Sequence, residues 1–407
     1  MKAAYNSRME SSSTPSRVAF GLLLFFAATS TASIAAQNTL WVAVLIWFLG
    51  RVKSRSTVPW PRGLFPLALG LFLIPFFTSS ALGIHPSQSF QTVFKYLTFL
   101  MVFYISAMEI KTPEIQKLLW FFVAGSVVCG LDGIWKFYWK IEDRITSFSG
   151  YFMIFGGLLM CALLIQVYFL TKNPRKPLYW ACALVLLTAL LLNQTRGAWI
   201  GFAVGFLVLA WFQNRRLVLA GLLVALAGFF LLPSEIQNRV KSIGDWQDQP
   251  RQQIWATGIK IIKDYPIVGI GQGNLSDLYP QYRVPGIGEA NQPHLHNNFL
   301  QIQVQNGIFG SAAYLFLIFA FFYSAWRYQP PSEEAAELNR LLACLFGAAL
   351  VWGLTEYTFS HQFMYFQTFL LGLQCGLWNQ ASALPTLAPK KKIKTRPGRI
   401  PSRNHRG

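Results

Sequence analysis

Apolar runs of about 20 residues, the length that crosses a bilayer, recur along this chain, and no other feature limits its fold as much. They lie near residues 18–36, 38–50, 63–82, 90–109, 118–138, 150–170, 177–193, 197–212, 217–233, 298–326, 340–358 and 362–380, with 38–50 the weakest. In hydrocarbon each backbone N–H and C=O must find its partner within the protein, so runs this long and continuously apolar become helices. At 53% hydrophobic and 13% charged residues, the chain falls well below the charge content of soluble domains. The expectation is an all-α polytopic membrane protein of about twelve transmembrane helices with one large periplasmic loop.

A formal charge of +19 raises the question of nucleic acid, but the basic residues form no folded basic domain with aromatic platforms. They sit in short connections. With the N-terminus inside, 24 of the 35 Lys and Arg residues fall on the N-terminal arm, on "RVKSRSTVPWPR", "KTPEIQK", "TKNPRKP", "QNRR", "RYQPPSEEAAELNR" and on the tail "KKKIKTRPGRIPSRNHRG". The positive-inside rule then puts both termini in the cytoplasm. The first run, "AFGLLLFFAATSTASIAAQ", also has the form of a cleavable signal peptide, and loop charge does not decide between the two. The five cysteines (Cys129, Cys161, Cys182, Cys344, Cys375) fall in apolar segments without CxxC spacing, which reads as small core residues.

The chain divides into 1–233 (helices 1–9), 234–297 (a periplasmic loop with short helices), 298–380 (helices 10–12) and 381–407 (a basic cytoplasmic tail). A loop as long as 234–297 inside a compact bundle is usually functional. Within it "PRQQIWATGIKIIKDYP" sets Trp255, Ile259 and Ile262 on one helical face and Lys260 and Lys263 off it, with Pro266 ending the run. That pattern predicts a helix lying on the membrane surface; a small cap without chemistry is the alternative. "GIGQGN" (269–274) lacks the spacing and the preceding strand of a nucleotide loop and reads as a tight turn.

An ionisable side chain near the bilayer centre costs roughly 2.5–3.5 kcal/mol on insertion scales, so each one within a span is a functional candidate. Lys95, Asp132, Lys136, Arg196, Glu356 and His361 fall toward the outer ends of their spans, as if lining one cavity. Snorkelling of Lys95 and a structural Asp132–Lys136 pair at i, i+4 are the plainer readings. Arg196, in "LLNQTRGAWIGF", sits in a turn so short that its guanidinium must lie at the membrane surface, with Gly197 there to let the chain turn. A planar, permanently charged fork at that depth suits a phosphate oxygen. Arg251, opening the loop helix, offers a second.

"QPHLHNNFLQ" places His294 and His296 at i, i+2 just before a span. A metal pair on a helix would be i, i+4, and the nearest third ligand is Glu289, so no metal is expected. A histidine satisfied at a helix start is one reading. The other is proton transfer or positioning of a sugar hydroxyl by an imidazole that titrates near neutrality, with Asn297 beside it as a substrate contact.

"TRGAW" in a short outer turn, then "RQQIW" and "YPIVGIGQGN", then "HLHNNFLQIQVQNGIFG" resemble, in this order, the core of the O-antigen ligase and polymerase superfamily, which includes bacterial O-linked oligosaccharyltransferases. The motifs cover roughly residues 193–310. The resemblance implies a GT-C-like membrane glycosyltransferase of the bacterial inner membrane, working on the periplasmic side. It implies an undecaprenyl-diphosphate-linked glycan as donor and lipid A-core as acceptor, among membrane lipids, with no cofactor, metal, nucleotide or nucleic acid. Carried over, the arginine of the RG turn is Arg196, the loop arginine Arg251 and the histidine of the HN pair His296; Lys95 would assist in holding the diphosphate and His294 the substrate. The short basic tail favours the ligase over the protein-directed enzyme, while a polymerase shares donor and topology. A polyprenyl-linked glycan transporter is the non-enzyme alternative, disfavoured by the absence of an internal repeat.

Overall fold

A computed structural model of the chain describes residues 15–32, 45, 47, 49, 50, 60–146, 148, 150–231, 233–244, 249–284, 291–359 and 361–382. Among the described residues every regular element is a helix: α1 (Pro15–Thr29), α2 (Leu64–Leu82), α3 (Pro86–Glu109), α4 (Thr112–Tyr138), α5 (Phe152–Lys172), α6 (Pro177–Asn193), α7 (Arg196–Gln213), α8 (Arg215–Leu231), α9 (Ser234–Lys241), α10 (Gln249–Asp264), α11 (Leu275–Tyr282), α12 (Asn298–Arg327), α13 (Glu333–Trp352) and α14 (His361–Ser382), with a 3-10 turn at Ser242–Gly244. Seven of them, α2 to α5, α7, α12 and α13, are long and apolar enough to cross a membrane, and α1 and α6 are shorter apolar helices. The chain is a multi-pass membrane protein. Most of the run at 38–50 lies outside the described residues, as does Glu289.

The helix starts follow local chemistry. Prolines fill the first turns of α3, α4 and α6, where a missing N–H leaves nothing unsatisfied. Asn297 and Ser332 accept from the backbone N–H groups of Leu300 (3.1 Å) and Ala335 (3.2 Å), capping α12 and α13. The Ser332 cap, with Glu333 and Glu334 in the first turn, starts α13 seven residues before the apolar run expected at 340–358, and the helix ends at Trp352. Glu356, expected within a span, therefore stands in the connection to α14.

At one end of the bundle Gln116 donates to Glu334 (2.8 Å), Lys172 pairs with Glu337, and the Thr112 backbone N–H donates to Gln380 (3.1 Å). At the other end gather the α2–α3, α4–α5, α6–α7 and α13–α14 connections and the chain between α8 and α12. The joining bonds are Ile84 N–H to Ile270 O (3.1 Å), Arg144 to Asn193 O, Arg196 to Ser242 O and Asn298 N–H to Gly353 O (2.8 Å). Between the ends, α5 is buried along nearly all its length, and Phe122 stacks on Phe366 at 3.9 Å. Leu67, Leu71 and Ile74 of α2 and Leu315 and Phe319 of α12 are exposed, as lipid-facing positions would be. All five cysteines are buried and free.

Glycine shapes two contacts that set the site. Gly197, Gly201 and Gly205 form a stripe on α7, and a Cβ on any of them would collide with neighbours that include Trp352 and Thr355 at Gly197 and Ala348 at both Gly201 and Gly205. Small residues four apart let two membrane helices approach closely. Gly197 is thus a buried helical residue, not the turn residue expected; the left-handed turn is made by Gln194 (φ 57°).

The second contact is in α12, which is two helices joined at Gly307 (φ 62°, ψ −164°). "GIGQGN" seats against that kink: Ile270 N–H donates to Val304 O (2.9 Å), Gly271 N–H to Gln305 O (3.0 Å) and Ile308 N–H to Pro266 O (2.9 Å). The expected tight turn, at residues 272–273, belongs to a buried loop that satisfies carbonyls freed by the kink. Gly307→Ala is expected to lower the thermal midpoint of the purified protein: a non-glycine residue in this positive-φ, extended-ψ region, essentially reserved for glycine, costs about 1–3 kcal/mol, and the new methyl would strike the Ile267 carbonyl. An unchanged midpoint would mean that the kink does not bear this load.

On α10 the buried face is Ile254, Thr257, Gly258 and Ile261, while Ile259 is exposed. This corrects the expected Trp255–Ile259–Ile262 face by about one residue of helical rotation. The helix packs into a cluster with Tyr279, Leu295 and Val304, so its apolar face meets protein. Its end before Pro266 is as expected.

Candidate active site

Leu295 is the fixed point of the histidine segment. Its carbonyl accepts from Trp255 Nε1 (3.0 Å), its N–H donates to Gln301 Oε1 (2.8 Å) and its side chain lies against Gly258. The histidines on either side are placed by these bonds. His296 adopts a left-handed backbone (φ 49°), a conformation that costs a non-glycine residue energy and persists where its surroundings enforce it.

Nδ1 of His296 lies 2.9 Å from Oε1 of Glu356, whose side chain is 6% exposed. Burial opposes the charge on Glu356. The hydrogen bond from His296, the charges of both histidines and the Tyr357 backbone N–H (3.0 Å) nonetheless hold its carboxyl below the ordinary value. An ionised carboxylate accepts only, so Nδ1 of His296 carries a proton toward it, and whenever the ring is neutral the lone pair is on Nε2. His294 sits edge to face against His296, with ring centroids 4.2 Å apart, and stacks on Tyr357 at 5.6 Å. Burial first, then the charge of His296, push His294 down to about 4 against the pull of Glu356.

Arg196 opens α7 and donates through Nη1 to Ser242 O (2.8 Å) and Oγ (3.3 Å). Arg144, in the α4–α5 connection, donates to Asn193 O through Nε (3.3 Å) and Nη2 (3.2 Å), and its guanidinium lies 3.8 Å over the Phe152 ring. Burial, followed by the charges of Arg239, Arg196 and Arg251, pushes Arg144 down to about 10. Four guanidinium groups, from the α4–α5 connection, α7, α9 and the first turn of α10, therefore share one electrostatic neighbourhood. Two contacts link the elements that carry Arg196 and Arg251 to those that carry the histidines and Glu356. Gly197, next to Arg196, packs on Thr355, next to Glu356; Arg251 lies one helical turn before Trp255, which binds the carbonyl between His294 and His296.

Other expected positions resolve differently. Lys95 is exposed on α3, one residue before Tyr96, whose hydroxyl is 3.0 Å from that of Tyr357. Asn297 has both ends of its amide engaged in structure, accepting from Leu300 N–H and donating to Leu354 O (2.9 Å). Asp132 and Lys136 pair at 2.8 Å, the plainer reading. The His361 side chain lies outside the described residues.

Sequence reasoning missed three groups. Arg144 and Arg239 are among the eleven basic residues left once 24 are assigned inside, a signal that singles out neither. Glu356 stands out in the sequence only as a charge, because its histidine partner lies 60 residues away. Its arrival also changes the metal argument: one donor atom from each of His294, His296 and Glu356 lies within 4.8 Å of the others, so the third ligand that the sequence lacked is present.

No curated protein matches the chain. Residues 181–315 match the family model described as O-Antigen ligase. That match runs from α6 into α12 and holds Arg196, Arg251, His294, His296 and Asn297, so the resemblance is borne out and the chain carries an O-antigen ligase family segment.

Proposed function

We propose that the protein transfers O-antigen polysaccharide from undecaprenyl diphosphate to lipid A-core in the periplasmic leaflet of the bacterial inner membrane. In this reading it is a twelve-span, GT-C-like enzyme with both termini in the cytoplasm, residues 234–297 outside, and no need of a metal for transfer. The observation that carries it is the His296–Glu356 pair at 2.9 Å, with His296 in the same family-matched segment as Arg196 and Arg251.

The acceptor hydroxyl oxygen attacks the anomeric carbon of the donor sugar. The bond from that carbon to the diphosphate oxygen breaks, and the hydroxyl proton passes to Nε2 of His296. A single displacement inverts the anomeric centre. Arg196 and Arg251, with Arg144 and Arg239 close by, hold the diphosphate through preorganised charge, which stabilises it as it leaves; Lys95, exposed on α3, assists. The diphosphate is a weak base, so no general acid is required. Glu356 fixes the tautomer and stabilises the imidazolium, as a carboxylate does for a catalytic histidine elsewhere.

Full-length protein in detergent, given undecaprenyl-diphosphate-linked glycan and lipid A-core, is expected to form glycosylated lipid A-core without ATP. A deletion strain is expected to lose all long lipopolysaccharide bands and to accumulate carrier-linked polymer. A single repeat left on the core would instead indicate a polymerase, and glycan crossing liposomes without any transfer would indicate a transporter. Glu356→Gln is expected to lower transfer about 10²-fold or more by releasing the wrong tautomer, while donor affinity stays within about twofold. Unchanged turnover in that variant would remove Glu356 from the mechanism.

A further inference from the structure

His294 has no part in the transfer step just described, yet its ring is held between His296 and Tyr357. Two polar atoms at this point are unexplained: Nδ1 of His294 and Oε2 of Glu356 are both buried without a hydrogen-bond partner. Both belong to a cluster in which one donor atom from each of His294, His296 and Glu356 lies within 4.8 Å of the others. Nδ1 of His294 and Nδ1 of His296 lie 4.0 and 2.9 Å from Oε1 of Glu356. A tetrahedral ion with bonds of about 2.0–2.1 Å places its ligands roughly 3.4 Å apart, and the observed distances straddle that value. Residues 291–297 are not helical, so the i, i+2 spacing that would separate two imidazoles on a helix here brings them together.

We propose that His294, His296 and Glu356 form a zinc site, and that filling it switches off the base. Two imidazole nitrogens and one carboxylate form the donor set of open zinc sites, with a fourth position left for water. Imidazole donors favour zinc over magnesium or calcium, which take oxygen. The consequence for His296 is a matter of one proton. In the metal-free pair that proton sits on Nδ1 and Nε2 holds the lone pair. Zinc takes the Nδ1 lone pair, the proton moves through water to Nε2, and no nitrogen remains to accept a proton from the acceptor hydroxyl. The inhibitory half of the proposal rests on the transferase reading; the site itself does not.

Calorimetric titration of the full-length protein in detergent with ZnCl2 tests the site. One equivalent is expected to bind, MgCl2 is expected not to bind, and His294→Ala and Glu356→Gln are each expected to weaken zinc at least tenfold, with thermal midpoints showing that the variants are folded. Absence of stoichiometric zinc, or affinity unchanged in both variants, overturns the site. In the transfer assay, stoichiometric zinc is expected to stop turnover and EDTA to restore it; full turnover with zinc bound overturns the switch. Since the titration reads binding without turnover, zinc affinity still decides whether the site exists even where the transferase reading fails.

Discussion

Replacing His296 with alanine is expected to cut glycan transfer about 10²–10⁴-fold, the range that a positioned general base contributes, with donor affinity within about twofold of the parent. The prediction follows from where the ring is held. Its Nδ1 is bound to Glu356 at 2.9 Å, and the carbonyl just before it is bound to Trp255, so Nε2 is the free working nitrogen. His296→Gln keeps some hydrogen bonding but has no base of suitable strength, and should fall with alanine. Initial rates at saturating donor, with donor binding measured separately, distinguish lost chemistry from lost binding. Wild-type turnover in His296→Ala would end the assignment.

Arg196→Ala has the second largest expected effect, and it falls on a different quantity. Loss of one preorganised donor to a developing anion costs about 10²–10³ in rate, and here donor affinity should drop as well, since the diphosphate is charged before and after transfer. Arg196→Lys should recover part of the affinity and little of the rate, because an ammonium supplies charge without the two-pronged geometry. Arg196 also holds Ser242, so the thermal midpoint of each variant must accompany the kinetics. Donor affinity unchanged in both variants would mean that this guanidinium serves the fold alone.

Some features were legible in the sequence because they are local. The start of α12 at Asn298, the stop of α10 before Pro266 and the place of Arg196 at the short turn between α6 and α7 each depend on neighbours within a few positions. What stayed hidden depends on distance along the chain or on small rotations. Glu356 looked like the end of an apolar run, and its partnership with His296 spans 60 residues. The face of α10 was misjudged by one residue because Trp255 and Ile259 are as apolar as the Ile254 and Ile261 that are buried. Gly197 reads as a turn residue, yet its role is to admit Trp352 and Thr355; a glycine records that space is needed, but not in which direction.

The loop seated in the kink of α12 has a consequence for how the protein is made. Residues 266–274 leave the ribosome before Val304 and Gln305, whose carbonyls they must meet, and His296 is synthesised long before Glu356. A nascent chain halted after α12 would contain His296 but lack Gly353, Leu354 and Glu356, the partners that hold Asn298, Asn297 and the imidazole. On the proposed reading, competence comes late in biogenesis, once the chain that follows α13 supplies Glu356, and a half-made chain is expected to be silent.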